Sequence, residues 1–159
     1  MTNTIKNPIE ISNFSEIEEK YDSIICDIWG VIHNGQELFK SSIECLLRYK
    51  DIGYPIILVT NAPRPSAEIK NILQKMGLNE KCYDKIITSG DLTQKILNKG
   101  DLGSSCFHIG PDRDLKVFDG VNVKRVEFDS ADFIFVTGLN DDETENDESY
   151  LPLLELAKK

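Results

Sequence analysis

Asp27 is the residue of this sequence best placed to carry out chemistry. It directly follows the apolar run Ile24-Ile25-Cys26 and precedes the short turn Trp29-Gly30. In α/β proteins with parallel strands, ligands bind at the carboxyl ends of the strands. A lone carboxylate at such an end is therefore a candidate nucleophile or metal ligand.

A second polar group follows the next apolar run of the chain. The run Pro55–Val59 ends in Thr60 and Asn61, which supply a hydroxyl and an amide. An acid at one strand end and a hydroxyl with an amide at the neighbouring end can together bind and act on an oxyanion. Phosphate is the oxyanion that fits this combination best, so the spacing predicts a phosphate site.

Composition limits the classes of partner. The chain has 159 residues, 40% of them hydrophobic and 28% charged, which suits one globular domain with a real core. Its net charge of −9 opposes nucleic-acid binding, although a local positive site could still hold a small phosphate. No apolar run approaches the ~20 residues that span a membrane. With four cysteines outside any metal or redox motif, we expect free thiols and a cytoplasmic protein.

Strands and helices alternate along most of the chain. Apolar runs predict strands at 22–28, 55–60, 85–88, 106–109, 123–128 and 132–137. Helical periodicity predicts helices at 40–50, capped by Ser41 or Ser42, from Ser66 to Gly77, and up to Gly100. This alternation predicts an α/β fold with a parallel sheet, a Rossmann-like three-layer sandwich.

Five short motifs occur in a fixed order along this pattern. They are Asp27 with Gly30-Val31, the segment Leu58–Asn61, the turn Thr88–Gly90, the strand end Ile109-Gly110 and the strand end Val136–Gly138. In this order and spacing, the chain resembles the haloacid dehalogenase superfamily, and within it the subclass IIA phosphatases. Enzymes like 4-nitrophenylphosphatase and sugar, nucleotide and pyridoxal phosphate phosphatases belong to that subclass.

The resemblance implies a specific role for each residue of the first two motifs. Asp27 would be the nucleophile that forms an aspartyl-phosphate. The carboxylate of Asp27 and the backbone carbonyl of Trp29 would hold Mg²⁺, while Thr60 and Asn61 would bind the phosphoryl oxygens of the substrate. The implied substrate is a small phosphorylated metabolite, and the implied core is the family's α/β core.

Two departures from the family pattern bear on activity. Trp29 occupies the position of the family's second aspartate, which protonates the leaving group, and an indole cannot do that work. His33 lies nearby and could act as acid or base instead. The family's lysine and later metal-binding aspartates come after an inserted cap domain, and the sequence offers no candidate for either.

The resemblance also predicts a domain organisation. Residues 1–20 would form an N-terminal arm or helix, 21–140 a partial core, and 141–159 an acidic linker and the start of a truncated cap domain. The chain would then be a catalytically incomplete phosphatase. The alternative is a non-catalytic relative that binds phosphate or a partner protein. Dehalogenation, suggested only by Trp29, is remote, and a homo-oligomer stays open.

Overall fold

The computed structural model describes residues 10–17 and 20–157. Much of the predicted arm at 1–20 lies outside the described residues. Its described part includes the 3-10 turn Phe14–Glu16, which Asn13 caps through its side chain. The ring of Phe14 packs edge-to-face on Tyr49 with 5.1 Å between the ring centroids, so this segment contacts the main body.

A three-stranded parallel sheet carries the first two motifs. Strands β1 (Ile24–Asp27), β2 (Ile56–Thr60) and β3 (Lys85–Thr88) lie in the order β1-β2-β3. Helix α1 (Lys40–Asp51) joins β1 to β2, and helix α2 (Ser66–Lys75) joins β2 to β3. The strands are parallel because a helix returns the chain to the same end of the sheet before each new strand.

One face of this sheet forms the main core. Side chains of β2 and β3 on that face meet the apolar stripes of α1 and α2. The buried residues from these elements are Leu46, Tyr49, Ile56, Leu58, Ile69, Leu73 and Ile86. Each such side chain contributes about 1.5–3 kcal/mol through burial, so this layer accounts for much of the stability of the unit.

The other face of the same sheet is open. Ile25 in β1 is 74% exposed and Ile87 in β3 is 40% exposed. Asp27 lies on the same face, two residues after Ile25, and shares its register row with Val59 and Ile87. The apolar run of β2 predicts a strand covered on both faces, but Ile57 and Val59 are only half-buried. β2 is the only strand that pairs with β1 among the described residues.

The remaining strands form a second parallel sheet. After helix α3 (Ser89–Lys99) come β4 (Ser105–Ile109), β5 (Lys124–Arg125) and β6 (Phe133–Val136). Their order is β5-β4-β6, and Leu97 of α3 joins Cys106 and Val123 in a small separate core. A short helix, α4 (Leu151–Leu156), ends the described chain.

The predicted α/β class with parallel strands is confirmed, and the structure divides these strands between two sheets. Alternation of strands and helices fixes the direction of pairing but not which strands become neighbours. Here α3 packs on the 3-10 segment Asp112–Phe118 of the second sheet unit. The division falls inside the predicted 21–140 core, and the domain boundaries themselves stay a prediction.

The structure also tests several local predictions. The cap of α1 is Phe39, without a side-chain hydrogen bond, so the predicted capping by Ser41 or Ser42 is wrong. The predicted strand at 123–128 shortens to the two residues of β5, since a 3-10 turn begins at Phe128. No helix among residues 10–17 and 20–157 combines the length and apolarity that crossing a membrane requires.

Gly90 fixes how α3 begins against the loop after β2. Its N–H donates to the carbonyl of Ala62 at 3.2 Å, and an added Cβ would lie 2.4 Å from the backbone carbon of Arg64. We expect Gly90→Ala to lower the free energy of unfolding by about 1–3 kcal/mol, because backbone must move to relieve the overlap. Ser89→Ala, at an exposed position one residue away, is the matched control. Urea unfolding measures both, and equal stability of the two variants would contradict the expected overlap.

Candidate functional site

Asp27, Thr60 and Asn61 lie at the same end of the first sheet. Asp27 pairs in register with Val59, so Thr60 stands one residue beyond it, and Thr60 pairs with Thr88 of β3. The predicted placement of these three polar residues at the carboxyl edge of the strands is therefore confirmed. Ser89 follows Thr88 at the same edge. Their chemical roles stay predictions.

The carboxylate of Asp27 is open to solvent at the end of β1. Its Oδ1 accepts a hydrogen bond from the N–H of Ile28 at 2.7 Å, which orients the group. The neighbouring thiol of Cys26 donates to the Asp27 carbonyl oxygen at 3.1 Å. Burial, and then the Asp27 charge, raise the pKa of the Cys26 thiol to about 11. Cys26 is thus protonated at neutral pH and does not compete with Asp27 as a nucleophile.

Thr60 and Asn61 present different atoms at the neighbouring strand end. The Thr60 side chain is 7% exposed, and its Oγ1 accepts a hydrogen bond from the N–H of Ala62 at 3.2 Å. Since that oxygen already accepts, its O–H remains the group with which it can donate to a ligand. Asn61 is exposed and holds its amide at the surface of the same edge.

A compact loop after β1 carries Trp29 and His33. The two rings meet edge-to-face with 5.3 Å between centroids, and His33 is 8% exposed. His33 Nδ1 accepts the N–H of Gly35 at 2.9 Å, which assigns the proton of the neutral ring to Nε2. Gly35 has a φ of +92°, and a Cβ there would lie 2.6 Å from the Trp29 ring, so glycine is favoured at this position.

The state of His33 limits its use as an acid. Burial, and then the charge of Arg64, lower its pKa from the ordinary value of 6.5. At neutral pH the imidazole is therefore uncharged, and its remaining N–H is a hydrogen-bond donor rather than a strong acid. Trp29 itself is 62% exposed and offers only an indole N–H.

A cavity of about 330 Å³ opens between this loop, the end of β2 and helix α2. Its polar lining comes from His33, Thr60, Asn61 and Arg64, and Trp29 closes one side. Asp27 is not among the lining residues, so the cavity lies beside the carboxylate rather than around it. Its walls on the helix side are the apolar residues Ile69, Ile72, Leu73 and Met76.

Arg64 is the residue of this region that the sequence analysis missed. It lies between Pro63 and Pro65 just after the second motif, and a cation so close to a predicted oxyanion site was the available signal. Its Nε lies 3.6 Å from Asp114, whose side chain is 5% exposed. A second ion pair, Lys116 with Glu68 at 2.6 Å, also joins the second sheet unit to α2.

The oxygen atoms at the end of β1 fit a hard divalent cation only in part. Asp27 supplies one exposed carboxylate, and the Trp29 carbonyl accepts no hydrogen bond within residues 10–17 and 20–157. Mg²⁺ commonly binds through one or two carboxylates together with waters and substrate phosphate oxygens. No cluster of three or more His, Cys, Asp or Glu side chains suited to a metal occurs in the described part of the chain.

Known structures resemble the chain over most of its length. A haloacid dehalogenase-like hydrolase from Brucella suis is 39% identical, with a TM-score of 0.85, over 94% of this chain and 57% of that protein. A 4-nitrophenylphosphatase from Thermotoga maritima is 22% identical with a TM-score of 0.61. That match covers 88% of this chain and 52% of that protein. A glycerol phosphate phosphatase from Mycobacterium tuberculosis, solved in complex with magnesium, is 19% identical with a TM-score of 0.59. That match covers 88% of this chain and 42% of that protein.

The chain thus spans between 42% and 57% of the length of these proteins. No protein with a curated description matches it. The family model of haloacid dehalogenase-like hydrolases matches residues 24–124, which is well over half of the chain. The resemblance to the superfamily, drawn above from the motifs, is confirmed by the family model and by the Brucella hydrolase. This protein belongs to the haloacid dehalogenase-like hydrolases.

Proposed function

We propose that this protein is the nucleophile-bearing part of a phosphoric monoester hydrolase that acts on a small phosphorylated metabolite in the cytoplasm. The observation that carries the proposal is the common strand edge of Asp27, Thr60 and Asn61 in a chain of this family. That edge combines an exposed carboxylate with a hydroxyl and an amide. Two solved structures that share the fold are phosphatases, and this supports phosphate rather than another oxyanion as the ligand.

The proposed reaction has two steps. Asp27 Oδ attacks phosphorus, the ester P–O bond breaks, and the leaving group departs with the bonding electrons. Water then attacks the aspartyl-phosphate, which releases inorganic phosphate and restores the carboxylate. Thr60 and Asn61 donate hydrogen bonds to phosphoryl oxygens in both steps. Asp27 and the Trp29 carbonyl would hold Mg²⁺, which when bound offsets the negative charge of the phosphoryl group.

Trp29 shapes which esters can react. With an indole where the family has an acid, and with His33 neutral, no group described at the site can protonate a departing alkoxide. The leaving group must therefore be stable as an anion, or a proton must come from solvent. This favours esters of acidic alcohols and phenols over simple alkyl phosphates.

The same feature supports a second candidate function. A chain with a phosphate-binding edge but no acid at position 29 could bind a phosphorylated ligand without turning it over. A non-catalytic phosphate-binding or interaction protein is therefore the alternative. The two functions differ in one observable, namely whether phosphate is released from a bound ester.

The test uses a hybrid in which this chain replaces the matched 57% of the Brucella hydrolase. We expect the hybrid to hydrolyse 4-nitrophenyl phosphate, whose phenolate leaves without protonation, and to lose this activity when Mg²⁺ is chelated. Release of 4-nitrophenolate measures the rate. A folded hybrid that binds the ester but releases no product would favour the non-catalytic alternative. Activity unchanged by chelation would contradict the role of Mg²⁺.

A further inference from the structure

The cavity beside Trp29 is lined by apolar groups and by four polar side chains, each of which can donate a hydrogen bond. Its polar side chains offer the Nε2–H of His33, the hydroxyl of Thr60, the amide of Asn61 and the guanidinium of Arg64. No Asp or Glu lines it, although acids exceed bases by nine in the chain. Electrostatically, this cavity therefore attracts an anionic group on a protein that is otherwise negative.

Arg64 keeps most of its binding capacity in this arrangement. Its one ion pair among residues 10–17 and 20–157 is with Asp114, and the 3.6 Å between Nε and Oδ1 is too long for a hydrogen bond. Its charge also acts on the carboxylate of Glu68, whose pKa it helps to lower. The buried Nε has no hydrogen-bond partner at all. Asp114 thus holds the guanidinium in place by charge without occupying its donors. A planar fork positioned in this way suits a carboxylate or phosphate.

The size and walls of the cavity point to more than a phosphoryl group. A volume of about 330 Å³ is in the range of small-molecule sites. The wall that α2 supplies, Ile69, Ile72, Leu73 and Met76, has no polar group that a phosphate could use. Burial of an apolar part of the ligand against such a wall would favour binding.

We infer that this cavity binds the part of the substrate that is not transferred, and that this part is an organic anion. It would have an apolar body against α2 and a negatively charged oxygen group bound by Arg64. The inference rests on the proposed function for the orientation of the ester, because Thr60 and Asn61 belong both to the strand edge and to the cavity lining.

Trp29 provides the readout. It is the only tryptophan of the chain and lines the cavity, so its emission reports on occupancy there. The purified chain is titrated with phenyl phosphate, 4-carboxyphenyl phosphate and 1,4-phenylene bisphosphate. We expect one of the two esters with a second anionic group to bind about tenfold or more tightly than phenyl phosphate. Which one does so separates a carboxylate from a second phosphate.

Arg64→Gln should remove this preference, so that the three esters bind with affinities within about threefold of one another. Arg113→Gln, which removes the same charge from an exposed pair with Asp142, is the matched control and should keep the preference. Arg64→Gln leaves Asp114 buried without its cation, so the double variant with Asp114→Asn guards against loss of the fold. Circular dichroism verifies that each variant is folded.

The outcomes separate this inference from the proposed function. Equal affinity for all three esters, no binding at millimolar concentration, or a preference that survives Arg64→Gln in a folded protein would overturn it. These are binding measurements and need no turnover. If the hybrid proves inactive while the Arg64-dependent preference is present, the site is supported and hydrolysis is not.

Discussion

Asp27→Asn should abolish phosphatase activity in the hybrid with the Brucella hydrolase, with a fall in kcat/KM of about 10³ or more. A carboxamide cannot accept the phosphoryl group, so the covalent route closes. The same change removes the one carboxylate that the described chain offers to Mg²⁺ at the end of β1. Release of 4-nitrophenolate under saturating Mg²⁺ measures the loss.

The control for this prediction is Asp22→Asn. Asp22 is an exposed acid just before β1, so the substitution changes the net charge equally and leaves the strand edge untouched. We expect its activity to stay within about twofold of the unsubstituted hybrid. Wild-type rates in a folded Asp27→Asn protein would show that another group is the nucleophile. Deamidation of the substituted amide would restore the carboxylate at position 27. Mass spectrometry therefore verifies that the Asp27→Asn protein keeps its expected mass.

The strand edge could be predicted because it depends only on local order in the sequence. Each polar residue of the site follows an apolar run, and parallel strands bring their carboxyl ends together. β3 was predicted to the residue, Lys85–Thr88, and β2 to within one residue of Ile56–Thr60. Apolar runs bounded by turns therefore carry enough information to place Asp27 beside Thr60.

The separation into two sheets could not be predicted in the same way. Whether β4 joins the edge of β3 or forms its own sheet depends on which core α3 enters, and Leu97 packs with Cys106 and Val123. That choice arises from long-range packing, not from periodicity. The 3-10 segment Asp112–Phe118 also escaped prediction, although it buries Asp114 and so fixes Arg64 beside the cavity.

The open face of the first sheet gives the site a physical reason to be weak in this chain alone. Asp27 shares that face with Ile25, which is 74% exposed, and β1 pairs on one edge only within the described residues. A carboxylate there is surrounded by water, which screens its interaction with a phosphoryl group or cation. Catalytic electrostatics are strong only where water is excluded and the dipoles are fixed in advance.

We therefore expect the 159-residue chain by itself to hydrolyse 4-nitrophenyl phosphate at least about a thousandfold more slowly than the hybrid. Loss of one preorganised charge contact in a transition state typically costs ~10²–10³ in rate, and in the isolated chain the water around the exposed Asp27 weakens such contacts. Such losses are not additive, so the figure is a lower bound. Both proteins are assayed at equal concentration with and without Mg²⁺. Turnover by the isolated chain at rates near those of the hybrid, abolished by chelation, would mean that residues already present here complete the site.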